Sequence, residues 1–216
     1  MAFGDNTYFA PEALVDDKRR MILWVWLLDN SDGEYTKIGY KGVYAFPRVL
    51  WLEDGILHMS PAPELDKICY NEKRPKINKN GKVELDNGEV FRIKSAFRKI
   101  NSGRIGFSVR ESESEQTLIY YDADRKSLVL DTTNSGCRGE RNIESLAPFV
   151  LSDGEDLSLD IFVDRTIVEV YANERQAICR RIFPEDSLKA VGVSLIGDAD
   201  DLLSLSVFEI APTNPY

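Results

Sequence analysis

Two carboxylates five residues apart, Asp164 and Glu169, have the residue types that a general acid–base pair would need. Such a pair works when one group stays ionised, the other stays protonated and both reach the same substrate. The apolar residues around them alternate with polar ones, and the phase resets at Asp164-Arg165, which predicts a turn between two strands. We therefore interpret Asp164 as a turn residue that bonds nearby backbone N–H groups, and we expect the two carboxylates on opposite faces. The pair is not predicted to be catalytic.

Other reactive side chains are sparse. The single histidine, His58, lies in an apolar run and is interpreted as a partly buried strand residue, which nearly excludes a Ser-His-Asp triad or a multi-histidine metal site. Cys69, Cys137 and Cys179 are odd in number, far apart and without a CxxC motif, which argues against a disulfide framework or a zinc site. The acidic cluster 198–201 lacks the ligand spacing of a calcium loop and is interpreted as a solvated turn. We predict no metal and no cofactor.

Aromatic residues near the N-terminus are candidates for contact with a ligand. Trp24 and Trp26 lie two residues apart, so their side chains share one side of a strand and either could stack on a sugar ring. The alternative is that both are core aromatics. Tyr8 and Phe9 are similar candidates, for which core packing is the favoured interpretation.

The composition is that of an acidic globular protein of 216 residues, with 43% hydrophobic and 29% charged residues. This length predicts one or two domains with a sizeable core. The net charge of −9 makes nucleic acid and membrane poor partners, because both carry negative charge. The sequence contains neither a signal peptide nor an apolar run of about 20 residues, so we expect a soluble chain without assigning it to a compartment.

Short alternating segments dominate the chain and predict an all-β protein. Residues 19–28 predict a buried strand, and 43–52 with 56–59 predict a strand pair joined at Asp54-Gly55. Residues 64–70 suggest a short helical turn, and the polar, basic segment 71–82 predicts a linker. Further strands are predicted at 89–98, 104–110, 116–122, 127–132, 157–163, 166–172, 176–183, 189–196 and 202–210.

The segment 161–184 also carries a resemblance. Within it, Phe162-Val163-Asp164-Arg165, then Ile167 to Asn173, then Arg181-Ile182-Phe183-Pro184, resembles the C-terminal β-sandwich signature of glycoside hydrolase family 32, which contains invertases, levanases and inulinases. A second, collinear match covers three N-terminal segments, which are Tyr8-Phe9-Ala10-Pro11, Arg19 to Trp26, and Phe46-Pro47-Arg48-Val49-Leu50.

The resemblance implies a fold and an activity. Residues 1–70 would form the last blade of a five-bladed β-propeller, 71–82 a linker, and 83–216 an antiparallel two-sheet β-sandwich. The family hydrolyses β-fructosyl linkages of sucrose, inulin or levan by a retaining mechanism that needs two carboxylates. Its Asn-Asp-Pro, Arg-Asp-Pro and Glu-Cys elements are absent from this sequence. We therefore expect a C-terminal fragment that has no catalytic residue and is inactive alone.

The resemblance also implies binding residues and partners. Asp5, Tyr8 and Trp26 are the expected substrate-binding residues of a complete propeller; Asp5 serves if the loop is one residue longer, because Ala2 occupies the family's Asp position. The expected ligand is a fructose-containing oligo- or polysaccharide, and the expected protein partners are a second copy or an N-terminal propeller. Two alternatives remain open, namely a carbohydrate-binding or assembly module and a subunit that completes a split propeller.

Overall fold

A computed structural model describes residues 8–28, 42–136 and 143–213, and these residues form three antiparallel sheets in stacked layers. The predicted all-β class, with a sheet ahead of an antiparallel two-sheet sandwich, is confirmed. No helix of the described segments has the length and hydropathy needed to span a bilayer.

The first sheet is built from the N-terminal third of the chain. Its strands are β1 (Tyr8–Val15), β2 (Met21–Leu28), β3 (Gly42–Tyr44), β4 (Arg48–Glu53) and β5 (Ile56–Pro61). They lie in the order β1-β2-β4-β5, and β3 also pairs with β2. The β4–β5 hairpin turns at Asp54-Gly55, where both residues have positive φ (51° and 76°), as the Asp-Gly signal predicts.

One predicted strand of this sheet is split in two. The sequence predicts a single strand over 43–52, whereas the structure has β3 and β4 separated by residues 45–47. Pro47 explains the break, because a proline has no N–H to donate to a ladder and constrains the residue before it. The turn that results places Phe46 and Arg48 at the first sheet's contact with the next layer.

A short connection leads from the first sheet into the sandwich. A 3-10 helix spans Pro63–Ile68, close to the helical turn expected at 64–70, and β6 (Cys69–Lys73) follows at once. The residues of β6 overlap both the segment 1–70 and the linker 71–82, and they pair with residues 207–210 of the sandwich. The division at 1–70, 71–82 and 83–216 stays a prediction.

The sandwich consists of a six-stranded and a five-stranded sheet. The six-stranded sheet has the order β14-β13-β12-β7-β16-β6, and the five-stranded sheet has the order β11-β10-β9-β8-β15. Their strands are β7 (Val90–Phe97), β8 (Arg104–Glu111), β9 (Thr117–Asp122), β10 (Ser127–Asp131), β11 (Glu144–Pro148), β12 (Leu157–Asp164), β13 (Ile167–Ala172), β14 (Gln176–Arg181), β15 (Gly192–Ile196) and β16 (Leu202–Ile210). Strands β6 and β11 were not predicted, and the other sandwich strands lie within the predicted segments to within three residues.

Side chains alternate between the two faces of each strand, so the six-stranded sheet makes two apolar interfaces, one with the five-stranded sheet and one with the first sheet. Residues such as Phe91, Phe107 and Ile161 point between the two sandwich sheets and are fully buried there. Burying each such side chain stabilises the fold by roughly 1.5–3 kcal/mol. The first sheet covers part of the outer face of the six-stranded sheet, where Phe46 packs against Phe162 with ring centroids 4.9 Å apart. The molecule thus has three layers, with the six-stranded sheet in the middle.

Candidate functional site

The outer side of the first sheet, turned away from the sandwich, is rich in aromatic residues. In β2, Leu23, Val25 and Leu27 point toward the sandwich, so Trp24 and Trp26 point outward, as their spacing predicts. The ladder places the rest of this aromatic face around them, because residues that pair directly share a face. It comprises Phe9, Trp24, Trp26, Tyr44, Trp51 and His58.

The aromatic face is held together by ring contacts. Phe9 meets Trp26 edge to face at 5.8 Å, and Trp24 meets Tyr44 in the same way at 6.1 Å. Trp51 stacks on His58 at 5.2 Å, and His58 is partly buried as expected. All three tryptophans of the chain lie on this face and are half-buried, so each ring keeps an exposed part that could stack on a flat apolar partner.

The indole of Trp26, the predicted sugar-stacking residue, packs directly over Gly42. A Cβ added to Gly42 would lie 1.8 Å from Trp26 Nε1, so the indole occupies the space that any larger residue would need. Gly42 pairs with Leu28, two ladder positions beyond the Trp26–Tyr44 pair, and so lies on the same face of the sheet. The indole therefore has a defined orientation, while its stacking on a sugar stays a prediction.

The other two predicted binding residues differ in their setting. Tyr8 pairs with Leu27 and so points toward the sandwich, where its hydroxyl oxygen accepts a hydrogen bond from the backbone N–H of Cys179 at 2.9 Å. Burial raises the pKa of the Tyr8 phenol well above its ordinary value, so the hydroxyl remains protonated. Asp5 lies outside the described residues. The substrate-binding roles of Tyr8 and Asp5 stay predictions.

Beside Tyr8, a buried polar network joins the first sheet to the sandwich. This interface network comprises Tyr8, Arg48, Glu169, Tyr171 and Cys179. The Arg48 Nη2 atom donates to Glu169 Oε1 at 2.6 Å, and the Tyr171 hydroxyl donates to the same oxygen. Glu169 Oε2 accepts from the backbone N–H of Phe46 at 3.0 Å. Both charged side chains have no exposed surface.

Burial and neighbouring charges shift the pKa values of Arg48 and Cys179 in the interface network. Burial alone would lower the pKa of the Arg48 guanidinium, but Tyr171 and Glu169 beside it hold that pKa well above its usual value. Burial, followed by the negative charge of Glu169, raises the pKa of the Cys179 thiol to about 12 and keeps it neutral. Neither group is set up to exchange protons with a substrate near neutral pH.

Glu169 is therefore a structural carboxylate, and its expected placement relative to Asp164 is wrong. Asp164 pairs with Ile167, two residues before Glu169, so both carboxylates point to the same face of the six-stranded sheet. The prediction counted five residues along one regular strand, but the chain turns between Asp164 and Ile167, and this turn brings the two side chains back to the same face. Asp164 stays partly exposed, whereas both carboxylate oxygens of Glu169 accept hydrogen bonds inside the protein.

The described surface also has open grooves, and one of them borders the interface network at Tyr171. A groove of about 410 Å³ at the junction of the first sheet and the sandwich is lined by Ser60, Lys94, Asp160 and Asn173, among others. A larger one of about 1250 Å³ lies between residues 111–115 and 185–191 and is mainly acidic. Among the residues that the structure describes, no group of three or more histidine, cysteine or acidic side chains is arranged to hold a metal ion.

Comparison with known proteins places this fold in a family. The model described as "Glycosyl hydrolases family 32 C terminal" matches residues 64–209, about two thirds of the chain. The chain belongs to glycoside hydrolase family 32. The family membership expected from residues 161–184 is thus confirmed.

Relatives in family 32 share the sequence over most of this chain. A sucrose-6-phosphate hydrolase from Staphylococcus xylosus is 27% identical over 87% of this chain and 39% of its own length. A raffinose invertase from Escherichia coli is 25% identical over 90% of this chain and 40% of its own length. The chain thus spans about two fifths of the length of these curated relatives.

A solved structure in family 32 matches the fold. The exo-inulinase from Aspergillus awamori superposes with a TM-score of 0.79 at 22% identity, over 99% of this chain and 44% of that chain. At this identity the likeness concerns the fold alone. The order of the three sheets is therefore shared with a family 32 structure.

Proposed function

We propose that this chain is the C-terminal part of a family 32 fructosidase, in which the first sheet serves as the last blade of a propeller. In this proposal the catalytic carboxylates lie in residues outside this sequence, and the chain alone does not hydrolyse. The observation that carries the proposal is the match itself, which covers 87% of this chain but 39% of the S. xylosus relative.

The aromatic face supports this role for the first sheet. It presents three tryptophans, Tyr44 and Phe9, with Phe9 and Tyr44 exposed by 54% and 67%. Packing such a face against a neighbouring sheet would remove apolar area from water at about 25 cal/mol per Å². A blade needs an apolar side of this kind toward its neighbour.

The substrate class in this proposal is a saccharide with a terminal fructosyl unit. The relatives are named as hydrolases of sucrose 6-phosphate and raffinose, and a solved neighbour is named as an exo-inulinase. Trp26, oriented by Gly42, is the residue of this chain that we propose to line the sugar pocket of the complete protein.

Fructose release tests the proposed division of labour. The purified chain, incubated with sucrose, sucrose 6-phosphate, raffinose, inulin and levan, is expected to release no fructose above a buffer blank, measured by chromatography. Fructose release by the chain would contradict the proposal.

The coding sequence preceding Met1 gives a second test. In-frame Asn-Asp-Pro and Glu-Cys elements there support the proposal, and an in-frame stop codon directly before Met1 contradicts it.

The exposed tryptophans also favour a second candidate function, that of a carbohydrate-binding module. Titration of the chain with inulin and levan, followed by tryptophan fluorescence, separates the two functions. A saturable change that is lost in Trp26→Ala but kept in Trp51→Ala supports sugar binding by the isolated chain. An unchanged spectrum at millimolar sugar leaves the aromatic face as a packing surface.

A further inference from the structure

The interface network contains an ion pair with both charges fully buried. Arg48 belongs to β4 of the first sheet and Glu169 to β13 of the sandwich, and neither side chain has exposed surface. The ion pairs Arg92–Asp160 and Arg175–Glu155 differ, because their carboxylate side chains are 22% and 27% exposed. A buried pair stabilises little by itself, but removing one partner leaves an uncompensated charge away from water.

Glu169 is bonded mainly to the first sheet. Its two oxygens accept from Arg48 Nη2 and from the Phe46 N–H, both in the first sheet, and from the Tyr171 hydroxyl within its own strand. Arg48 is further held over the Tyr171 ring, 5.4 Å from its centroid, and its Nη2 contacts Cys179 Sγ at 3.6 Å. One carboxylate thus fixes both the Arg48 side chain and the backbone of the turn before β4.

From this turn the constraint reaches the aromatic face by short steps. Phe46 directly follows Ala45, whose N–H donates to the Val25 carbonyl at 2.8 Å. One residue earlier, Tyr44 pairs with Trp26 in the ladder between β3 and β2. The sandwich carboxylate is therefore connected to the strand that carries Trp26 through main-chain bonds.

We propose that Glu169 is a positioning residue, a carboxylate of the sandwich that fixes where the first sheet docks and how its aromatic face is held. A polar anchor gives directional bonds that the surrounding apolar contact lacks. Apolar burial, as between Phe46 and Phe162, is non-directional, whereas the hydrogen bond from Arg48 to Glu169 forms in one register only. The inference does not rest on the proposed function, since it concerns the chain alone.

The chain offers selective spectroscopic probes for this proposal. Its three tryptophans all lie in the first sheet, whereas most strands belong to the sandwich. Tryptophan fluorescence therefore follows docking of the first sheet, and far-UV circular dichroism mainly follows the sandwich. In the wild type we expect both signals to change in one urea transition.

The test compares Glu169→Gln with Glu144→Gln. Glu144 is the control, because it also accepts from one arginine (Arg125, 2.7 Å) and one tyrosine hydroxyl (Tyr120, 2.9 Å), but all three residues belong to the sandwich. The control matches Glu169 in its bonding partners and differs in burial, since the Glu144 side chain is 31% exposed. In Glu169→Gln the fluorescence midpoint is expected to fall below the dichroism midpoint by roughly 1 M urea or more, with emission red-shifted before the transition. In Glu144→Gln the two midpoints stay coincident.

Coincident midpoints in Glu169→Gln would overturn the proposal, whether or not both midpoints shift. Loss of a residue that only stabilises the whole fold would lower the fluorescence and dichroism midpoints together. If that variant does not fold, the double variant Arg48→Met/Glu169→Leu replaces it, since it leaves no buried charge. Separated midpoints in the double variant support the proposal, because the Phe46 amide has lost its acceptor. Coincident midpoints there contradict it.

Discussion

At the scale of single residues, the carboxylate of Glu64 shows how a surface cluster responds to pH. Glu64 lies in the first turn of the 3-10 helix and accepts hydrogen bonds from Lys18 and Arg20 at 2.8 to 3.1 Å. The bonds from Arg20, and then from Lys18, lower the pKa of the Glu64 carboxyl from 4.5 to about 2. These bonds connect the turn between β1 and β2 to the 3-10 helix that leads into the sandwich.

This shift predicts a loss of stability in acid. Because the folded-state pKa of Glu64 lies below the unfolded value of 4.5, its stabilisation is present above about pH 4.5 and lost as the pH falls toward about 2. Glu64→Gln should therefore lose less stability than the wild type between pH 5 and pH 2. Urea unfolding followed by tryptophan fluorescence at several pH values measures this, and identical pH profiles of the two proteins would contradict it.

Residue-scale contacts were only partly predictable from the sequence. The shared face of Trp24 and Trp26 and the strand position of His58 follow from a period of two, which depends only on neighbours. The bond from Cys179 to Tyr8 and the pair Arg48–Glu169 join residues 171 and 121 positions apart. Nothing local in the sequence marks such partners, because only the docking of two sheets brings them together.

At the scale of elements, β8 shows how closely two strands can approach. Gly106 of β8 pairs with Tyr120 of β9 and with Ile196 of β15, so it lies in the interior of the five-stranded sheet. A Cβ at this position would lie 2.1 Å from the Ile119 carbonyl oxygen, which is a backbone atom and cannot rotate away. Glycine is required here by the approach of the neighbouring strand.

Gly106→Ala should therefore destabilise the protein by about 1–3 kcal/mol or more, because β8 must move away from β9. Gly103→Ala is the control: its Cβ would meet no atom within 4 Å, and only its φ of +79° carries strain, worth about 1 kcal/mol. Urea unfolding followed by circular dichroism compares the two. A smaller loss at Gly106 than at Gly103 would show that the sheet relaxes around the added carbon.

The elements were more predictable than the side-chain contacts. Alternation located most sandwich strands, because each buries one face in the core between two sheets. Strand β6, Cys69–Lys73, was missed since four of its five residues are exposed and it forms the edge of its sheet. Its residues were predicted as the end of a helical turn at 64–70 and the start of a linker at 71–82, although the backbone pairs with β16.

At the scale of the whole molecule, the apolar core between the two sandwich sheets dominates stability. Phe107 is fully buried there and contacts Phe97 with ring centroids 5.6 Å apart. The first sheet adds a third layer through two smaller apolar clusters, around Val25 and around Phe162. The free energy of unfolding that is lost when a side chain is truncated should therefore depend on the layer in which the side chain lies.

Phe107→Ala is expected to lower the free energy of unfolding by about 3–5 kcal/mol, through lost burial and a residual cavity. Phe9→Ala, which removes the same side chain from the half-exposed aromatic face, should cost about 1 kcal/mol or less. Urea unfolding followed by circular dichroism measures both. Equal losses would mean that the aromatic face contributes as much as the sandwich core.

The position of β7 has a consequence for the order of events during synthesis. In the finished sheet β7 lies between β12 and β16, and β16 also pairs with β6. About 100 residues separate the end of β7 at Phe97 from the start of β16 at Leu202. A ribosome that adds about 5–20 residues per second delivers β16 roughly 5–20 s after β7. Throughout that interval an edge of β7 and the strand β6 have no partner, and an open strand edge invites pairing with other chains. Strand β16 therefore completes the six-stranded sheet and covers these open edges, so slower translation between β7 and β16 should reduce the yield of folded protein without changing its final stability.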